Sequence, residues 1–206
     1  MNRANDILEF WFGSGPFDTA RLAERNTFWF GGDGAEAQAA RDELIRSSLE
    51  PMLERAARGE FASWASSPRR RLALILLFDQ VPRNCYRGTA AAFAFDREAL
   101  ALSVEGLQLV ADAALDPVER VFFYLPLEHA ESMEAQDAAV AALDRLAGDA
   151  PEPLREFCVY CAGFARQHRE IIARFGRFPH RNAVLEREST AAEIEWLGSE
   201  GERFGQ

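Results

Sequence analysis

The chain has 206 residues, of which 48% are hydrophobic and 27% charged, and its formal net charge is -10. This composition is that of a globular protein and argues against disorder, and the length predicts one domain over residues 1–206. The negative charge repels phosphate backbones and anionic lipids, so we expect no nucleic-acid partner and no membrane surface. All 23 basic residues are Arg, a bias that most simply reflects a GC-rich genome and weakens any single Arg as an anion-binding signal.

Cysteine usage and the apolar segments bear on the cellular compartment. The chain has three cysteines: Cys85, Cys158 and Cys161. They are too few and too clustered for a disulfide framework, which indicates a reducing compartment. Asp6 and Glu9 interrupt the apolar stretch Ile7–Phe12, so the N-terminus lacks a secretory pattern, and the run Leu72–Phe78 is too short to span a membrane. The sequence therefore predicts a cytoplasmic protein.

Helix start and stop signals recur along the chain, and no segment shows the period-2 alternation of a strand. The first predicted helix carries an apolar face and ends at Gly13. Asp33 is the predicted N-cap of a second helix that runs to about Ser48. Pro51 is expected to begin a further segment that ends at Gly59, because a proline in the first helical turn loses no hydrogen bond.

The middle of the sequence predicts a buried central helix near residues 69–81. Ser67 followed by Pro68 is the pattern of a cap residue with proline at the first helical position. The helix then reads Leu72–Phe78, which is apolar on every side and should therefore be enclosed by other helices. Pro82 is expected to end it.

Five further helices are predicted in the second half of the chain. The first three run from Asp96 to about Ala111, from Asp116 onward with a kink at Pro126, and from about Glu134 to Ala147. The fourth, Leu154–Phe175, is predicted to be the longest and is stopped by Gly176. The last begins at the capping-box spacing Thr190–Glu193 and ends at Gly198. Helices joined by short turns predict an all-α fold of stacked antiparallel pairs.

In three helices the apolar stripe continues at helical spacing onto an ionisable residue, which should then face the interior. These residues are Asp79, His129 and His168. A buried polar group without a partner costs about 1–3 kcal/mol, so each needs one. His168 is interpreted as a core residue that bonds a backbone carbonyl. Asp79 and His129 lie at or near breaks in their helices, where a cavity is most easily lined.

Two turns place Arg among Pro, Asn and aromatic residues, and they are the predicted place for a ligand. They are Asp79–Thr89 and Phe175–Asn182. Forked Arg donors can hold a carboxylate or a phosphate, although the same residues could instead pin the turn to a helix C-terminus. The candidate ligand-binding residues are Asp79, Arg83, Arg87, His129, Arg177, His180 and Arg181.

Other motifs in the sequence do not indicate a metal or a cofactor. Cys158 and Cys161 have C-x-x-C spacing but lie inside a helical pattern, which favours core packing over redox chemistry. Glu128, His129 and Glu131 are metal-type ligands, but His129 and Glu131 point to different faces of a helix. We therefore predict no metal site and no cofactor.

Four stretches of the sequence are distinctive enough to compare with known families: Ile7–Gly13, Leu72–Asn84 with Tyr86–Thr89, Tyr124–His129 with Glu131, and Arg174–Asn182. In this order they resemble a bacterial family catalogued as domain of unknown function 924, and the resemblance covers nearly the whole chain. It implies a tetratricopeptide-like helical fold, and it implies no reaction, cofactor or partner. Cys85 stands where the family has a bulky aliphatic residue, which argues against a role for that thiol.

Three functions are consistent with these observations. The first is a binding module for a small anionic molecule or a peptide carboxylate, held by the Arg turns and oriented by Asp79 and His129. The second is a protein-interaction scaffold in which the Asp and Arg residues are structural braces. The third is a metal-independent enzyme in which His129 or His180 is the general acid–base for a phosphorylated or carboxylated metabolite. The oligomeric state is left open.

Overall fold

The computed structural model describes residues 3–199, which contain ten α-helices and no β-strand. The helices are α1 (Ala4–Phe12), α2 (Thr19–Phe30), α3 (Ala35–Ala57), α4 (Pro68–Ile75), α5 (Val81–Cys85), α6 (Asp96–Gln108), α7 (Pro117–Glu128), α8 (Met133–Asp149), α9 (Arg155–Phe175) and α10 (Ala191–Ser199). The predicted all-α class is confirmed. The tetratricopeptide-like stacking, and the single domain over residues 1–206, stay predictions.

The N-terminal helices differ from the prediction in three places, the first of which is α2 (Thr19–Phe30), a helix that was not predicted. Helix α3 is continuous through Pro51 and, with 23 residues, is longer than α9 with 21. Its N-cap is Gly34 rather than Asp33, because the Asp33 carboxylate is held by Arg41 at 2.6 and 2.7 Å. Pro51 is tolerated inside the helix because it removes one backbone donor without ending the packing of the flanking turns.

The predicted central helix is buried, and it continues past its predicted end. A π-helical turn, Leu76–Gln80, joins α4 to α5, and Pro82 lies in the first turn of α5. Val81 donates its N–H to the carbonyl of Leu76, five residues back. Because Pro82 has no N–H, placing it at the start of a new helical segment loses no hydrogen bond. The proline therefore marks a shift in the hydrogen-bond pattern rather than the end of the helix.

In the second half of the chain, most predicted starts and stops agree with the structure. Asp116 and Glu119 form a capping box at the start of α7, and Thr190 and Glu193 do so before α10. Gly176 ends α9 in the left-handed conformation, with φ 71°.

Pro126 lies inside α7, as predicted, and the kink there stays a prediction. Two predicted details in this half are different. The N-cap of α6 is Phe95, and Asp96 is the first residue of the helix, because its carboxylate binds arginines instead. Helix α8 includes Gly148 and ends one residue later.

The main core brings aromatic side chains of three helices together. Trp29 of α2 and Phe12 of α1 both pack against Phe122 of α7, with ring centroids 4.8 and 5.3 Å apart. Helices α8 and α9 pack along each other. A smaller apolar cluster, Ile171, Ile172, Phe178 and Trp196, joins the end of α9 to α10.

Within residues 3–199, none of the helices combines the length and apolar character that crossing a membrane requires.

Candidate functional site

A cavity of about 310 Å³ lies among α2, α5, α7 and α9. Its apolar wall consists of Trp29, Phe30, Val121, Leu125, Tyr160, Cys161 and Phe164, and its polar wall of Gln38, Gln80, Arg83, Asn84, Arg87, Glu128, His129 and His168. Three of the residues predicted from the sequence, Arg83, Arg87 and His129, therefore line one cavity. Its polar residues come from α3, the π turn, α5 and the turn after it, the end of α7 and the second half of α9.

Asp79 was predicted to bind the ligand but does not line the cavity; it is fully buried and forms a hydrogen bond with His129, which does line it. His129 follows the last residue of α7 and places its Nδ1 2.7 Å from Oδ1 of Asp79. Burial by itself would raise the pKa of Asp79, but the charge of Arg83 and the hydrogen bonds from His129 and Gln80 hold it well below its usual range. Asp79 is therefore ionised and can only accept, so Nδ1 of His129 carries the proton.

The two predicted Arg turns meet at Asp96. Arg83 donates both terminal nitrogens to the two carboxylate oxygens of Asp96 at 2.7 and 2.9 Å. Arg181 donates to the same carboxylate at 3.3 Å, and its guanidinium lies between the rings of Phe93 and Phe178. Burial, followed by the charge of Arg83, lowers the pKa of Arg181 to about 10.

Glu128 and His168 complete the polar wall, and neither was a predicted ligand-binding residue. His168 donates Nδ1–H to the carbonyl of Phe164 at 2.9 Å, as predicted for a core histidine, and the same nitrogen lies 3.2 Å from Oε1 of Glu128. Burial and the charge of Asp79 raise the pKa of Glu128 to about 8. Burial lowers the pKa of His168 to about 3. Both groups are therefore neutral at pH 7.

Arg87 lies at the side of the cavity near α3. Its Nε and Nη2 donate to the carboxylate of Asp42 at 2.8 and 3.0 Å, and Nη2 reaches Oδ1 of Asn84 at 3.3 Å. Asn84 in turn donates to the carbonyl of Gln80. Arg87 thus links the cavity wall to α3 while its side chain remains 28% exposed.

Arg177 and His180 do not belong to the cavity lining, although both were predicted to bind the ligand. Arg177 binds the carboxylate of Glu193 at 2.7 and 2.8 Å, which fastens the start of α10 to the end of α9. His180 packs on Phe178 with ring centroids 5.5 Å apart, and burial, then the charge of Arg181, lowers its pKa to about 3. Arg181 does not line the cavity either, so the second turn is connected to it through Asp96, which Arg181 shares with Arg83.

The cavity has neither a reactive thiol nor a metal cluster in the described part of the chain. Burial raises the pKa of the Cys161 thiol well above its usual value, and Cys158 is packed in the core nearby. Among residues 3–199, no group of three or more His, Cys, Asp or Glu side chains is placed to hold a metal ion.

The fold and site define an all-helical protein with a polar, partly aromatic cavity. The chain belongs to the family described as a bacterial protein of unknown function, DUF924, whose sequence profile matches residues 7–201. It is similar to the solved structure of the protein of unknown function ATU0120 from Agrobacterium tumefaciens, with 38% identity, a TM-score of 0.76, and coverage of 94% of this chain and 96% of that chain. Comparison with the curated proteins finds no match. The predicted family is confirmed, and both matches are to proteins of unknown function.

Proposed function

We propose that this protein binds a small molecule with one acidic group in the cavity between α2, α5, α7 and α9. The observation that carries the proposal is the division of the cavity into an aromatic wall and a wall of buried polar groups. Small-molecule sites commonly have this composition, and about 310 Å³ lies near the lower end of their usual range of roughly 300–1,000 Å³. The expected ligand is therefore of the size of a simple metabolite.

The aromatic wall provides a place for the apolar part of such a ligand. Phe30 and Tyr160 are 46% and 53% exposed although both line the cavity. Trp29 and Phe164 lie deeper on the same wall. A ligand that covers the exposed faces of these rings removes apolar surface from water, which favours binding by about 25 cal/mol per Å².

The charges on the polar wall favour a single acidic group rather than several. Arg83 is buried and paired with Asp79 and Asp96, whereas Arg87, which binds Asp42, keeps 28% of its side chain exposed. Glu128 keeps its proton at pH 7, since burial raises its pKa to about 8. A ligand carboxylate or phosphate can therefore accept hydrogen bonds from Arg87 without repulsion from a charge on Glu128.

A thermal-shift comparison tests this proposal. The wild-type protein is measured with small aryl and alkyl carboxylates and phosphates and with their neutral amides and alcohols. We expect the acids to raise the melting temperature of the wild type and of Arg177→Gln, but to have a much smaller effect on Arg87→Gln. Arg177 is the matched control because it also pairs with a carboxylate yet lies outside the cavity lining. Equal stabilisation of both variants, or none by any acid, would contradict the proposal.

A protein-interaction scaffold is the second candidate function, and one observation favours it. Asp96 is bound by both Arg83 and Arg181, as expected of an internal brace between two turns. If the protein is a scaffold, the cavity is not its binding site. Variants of the cavity lining that leave the fold intact, such as Phe164→Leu, should then bind protein partners as the wild type does, and any binding of acids should also be unchanged. Loss of acid binding in Phe164→Leu, at unchanged stability, would favour the ligand-binding proposal instead.

A further inference from the structure

We infer that the cavity performs proton-transfer chemistry, in which Nε2 of His129 removes a proton from the bound ligand and the carboxyl group of Glu128 supplies one. The inference rests on the proposed ligand binding and adds a reaction to it. Both groups line the same cavity. The imidazole rings of His129 and His168 are 6.3 Å apart, and Glu128 lies 3.2 Å from His168, so the three groups are neighbours.

The base is His129, and its protonation state follows from its partner. Asp79 is ionised and accepts the Nδ1 proton at 2.7 Å, which leaves the lone pair on Nε2. Burial and the charge of Arg83 lower the pKa of His129 despite the presence of Asp79, so the ring is neutral and able to accept a proton at pH 7. When it does, Asp79 stabilises the imidazolium, the role that the carboxylate has in hydrolase triads.

The acid is Glu128, and burial together with the charge of Asp79 keeps its carboxyl group neutral. The π turn presents ionised Asp79, whose charge opposes ionisation of Glu128. Helix α9 presents neutral His168 and the un-ionised thiol of Cys161. Gln136 of α8 donates to the backbone carbonyl of Glu128 and brings no charge.

The contact between Glu128 and His168 indicates which carboxyl oxygen of Glu128 holds the proton. Oε1 lies beside the Nδ1–H of His168, so Oε2 is the oxygen left to hold it. Two carboxyl groups, Asp79 and Glu128, whose surroundings move their pKa values in opposite directions, are a recurring feature of acid–base sites.

The lining residues narrow the class of reaction. Among the described residues that line the cavity there is no Ser or Thr, and the Cys161 thiol is held un-ionised by burial. A base and an acid without a nucleophile suit enolisation of a carbonyl compound. His129 takes a proton from the carbon next to the carbonyl, and the C–H electron pair forms the C=C bond. The carbonyl π pair moves to oxygen, which takes the proton of Glu128. The reverse steps restore both residues.

An acidic group and an enolisable carbonyl together specify a substrate class, the 2-oxo acids. The aromatic wall favours those with an apolar side chain. In D2O, a proton held on the imidazolium of His129 exchanges with solvent before it returns to carbon. Reversible enolisation therefore replaces the hydrogens at C3 of the 2-oxo acid by deuterium, with no net chemical change and no further reactant.

Proton NMR in D2O at neutral pH, with phenylpyruvate and 2-oxobutyrate as probes, tests the reaction. We expect the wild type and His180→Asn to accelerate exchange at C3 above the buffer rate. Glu128→Gln and His129→Asn should lower the acceleration by about a hundredfold. The Asn amide can still donate to Asp79, which preserves the fold, and His180 is a control outside the cavity lining. Wild-type exchange in both cavity variants would overturn the inference.

Two further measurements distinguish the failure of the reaction from the failure of ligand binding. Thermal shifts with the same probes report binding alone, so stabilisation with exchange at the buffer rate overturns the acid–base inference and leaves the proposed function standing. If neither probe stabilises the protein, the 2-oxo acid class is wrong. In the free protein, nitrogen-15 and carbon-13 NMR should show the Nδ1–H tautomer of His129 and a protonated Glu128 at pH 7. An ionised Glu128 or an Nε2–H tautomer would also overturn the inference.

Discussion

His129 donates a hydrogen bond to Asp79 over 2.7 Å and so joins the end of α7 to the π turn between α4 and α5. Both residues lie where a regular helix is interrupted, and π turns inside helices are frequently found at functional sites. A continuous helix at either position would leave one of these side chains on a packed face. The breaks in the helices therefore place the two groups together at the polar wall of the cavity.

Replacing Asp79 by Asn should destabilise the protein strongly. Asp79 is fully buried and partly compensates the charge of buried Arg83, so we expect a loss of about 3 kcal/mol in the free energy of unfolding. Because the pKa of Asp79 is depressed in the folded state, this stabilisation is present above the unfolded value and declines as the pH falls below it.

Urea unfolding at pH 7 measures the effect, with Asp137→Asn as the control. Asp137 pairs with Arg169 at the surface, where both side chains are about half exposed, and its loss should change stability by less than about 1 kcal/mol. Equal effects of the two substitutions would show that the buried charge of Asp79 contributes little.

Replacing Glu128 by Gln should change how stability depends on pH. The pKa of Glu128 is about 8 in the folded state and about 4.5 in the unfolded chain. A raised folded pKa means that the stabilising protonation is complete at low pH and is lost as the pH rises through about 8. Between pH 6 and pH 9 the wild type should therefore lose about 3 kcal/mol more stability than the variant. Urea unfolding at the two pH values measures this loss. If the wild type and Glu128→Gln lose the same stability, the pKa of Glu128 is not raised.

The sequence predicted part of this site because helical periodicity reports which way a side chain faces. The apolar stripes of the central helix and of α7 placed Asp79 and His129 inside, and their contact confirms the reasoning. The same stripe in α7, read through Val121 and Leu125, continues onto Glu128, so this missed residue had a detectable signal. The predicted helix start at Asp96 was nearly right. The role of Asp96 as a bridge between the two turns could not be predicted, because it depends on Arg181, 85 residues away.

Turn residues and the π turn lay beyond what the pattern could show. Arg177 and Arg181 stand in one turn, yet the first binds Glu193 and the second Asp96. A turn has no periodicity from which these directions could be predicted. The π turn was missed because Pro82 normally ends a helix, and a one-residue shift of hydrogen bonds leaves no mark in the residue pattern.

The three thiols should react slowly in the folded protein. Burial raises the pKa of Cys85 to about 12 and that of Cys158 to about 11, and Cys161 is shifted well above its usual value as well. Since the thiolate is the reactive form, Ellman's reagent at pH 8 should detect no fast thiol before denaturation and three per chain in urea. One fast-reacting thiol in the native protein would show that a cysteine is open to solvent and could contribute to the chemistry of the cavity.

Two glycines inside helices should respond in opposite ways to replacement by Ala. A Cβ at Gly106 of α6 would lie 2.4 Å from Cζ of Phe123 and 2.8 Å from Cδ of Arg71, and both neighbours are almost fully buried. Overpacking of this kind costs about 1–3 kcal/mol, which exceeds the gain in helix propensity. A Cβ at Gly163 of α9 meets no atom within 4 Å, so Gly163→Ala should stabilise by about 0.5–1 kcal/mol.

Urea unfolding followed by circular dichroism compares the two variants under the same conditions. Because both positions are helical, the backbone contribution is similar in each, and the difference between the variants measures the crowding where α6 meets α4 and α7. A stabilising Gly106→Ala would mean that Phe123 and Arg71 move aside at little cost. In that case the packing of α6 against α4 and α7 does not require glycine at position 106.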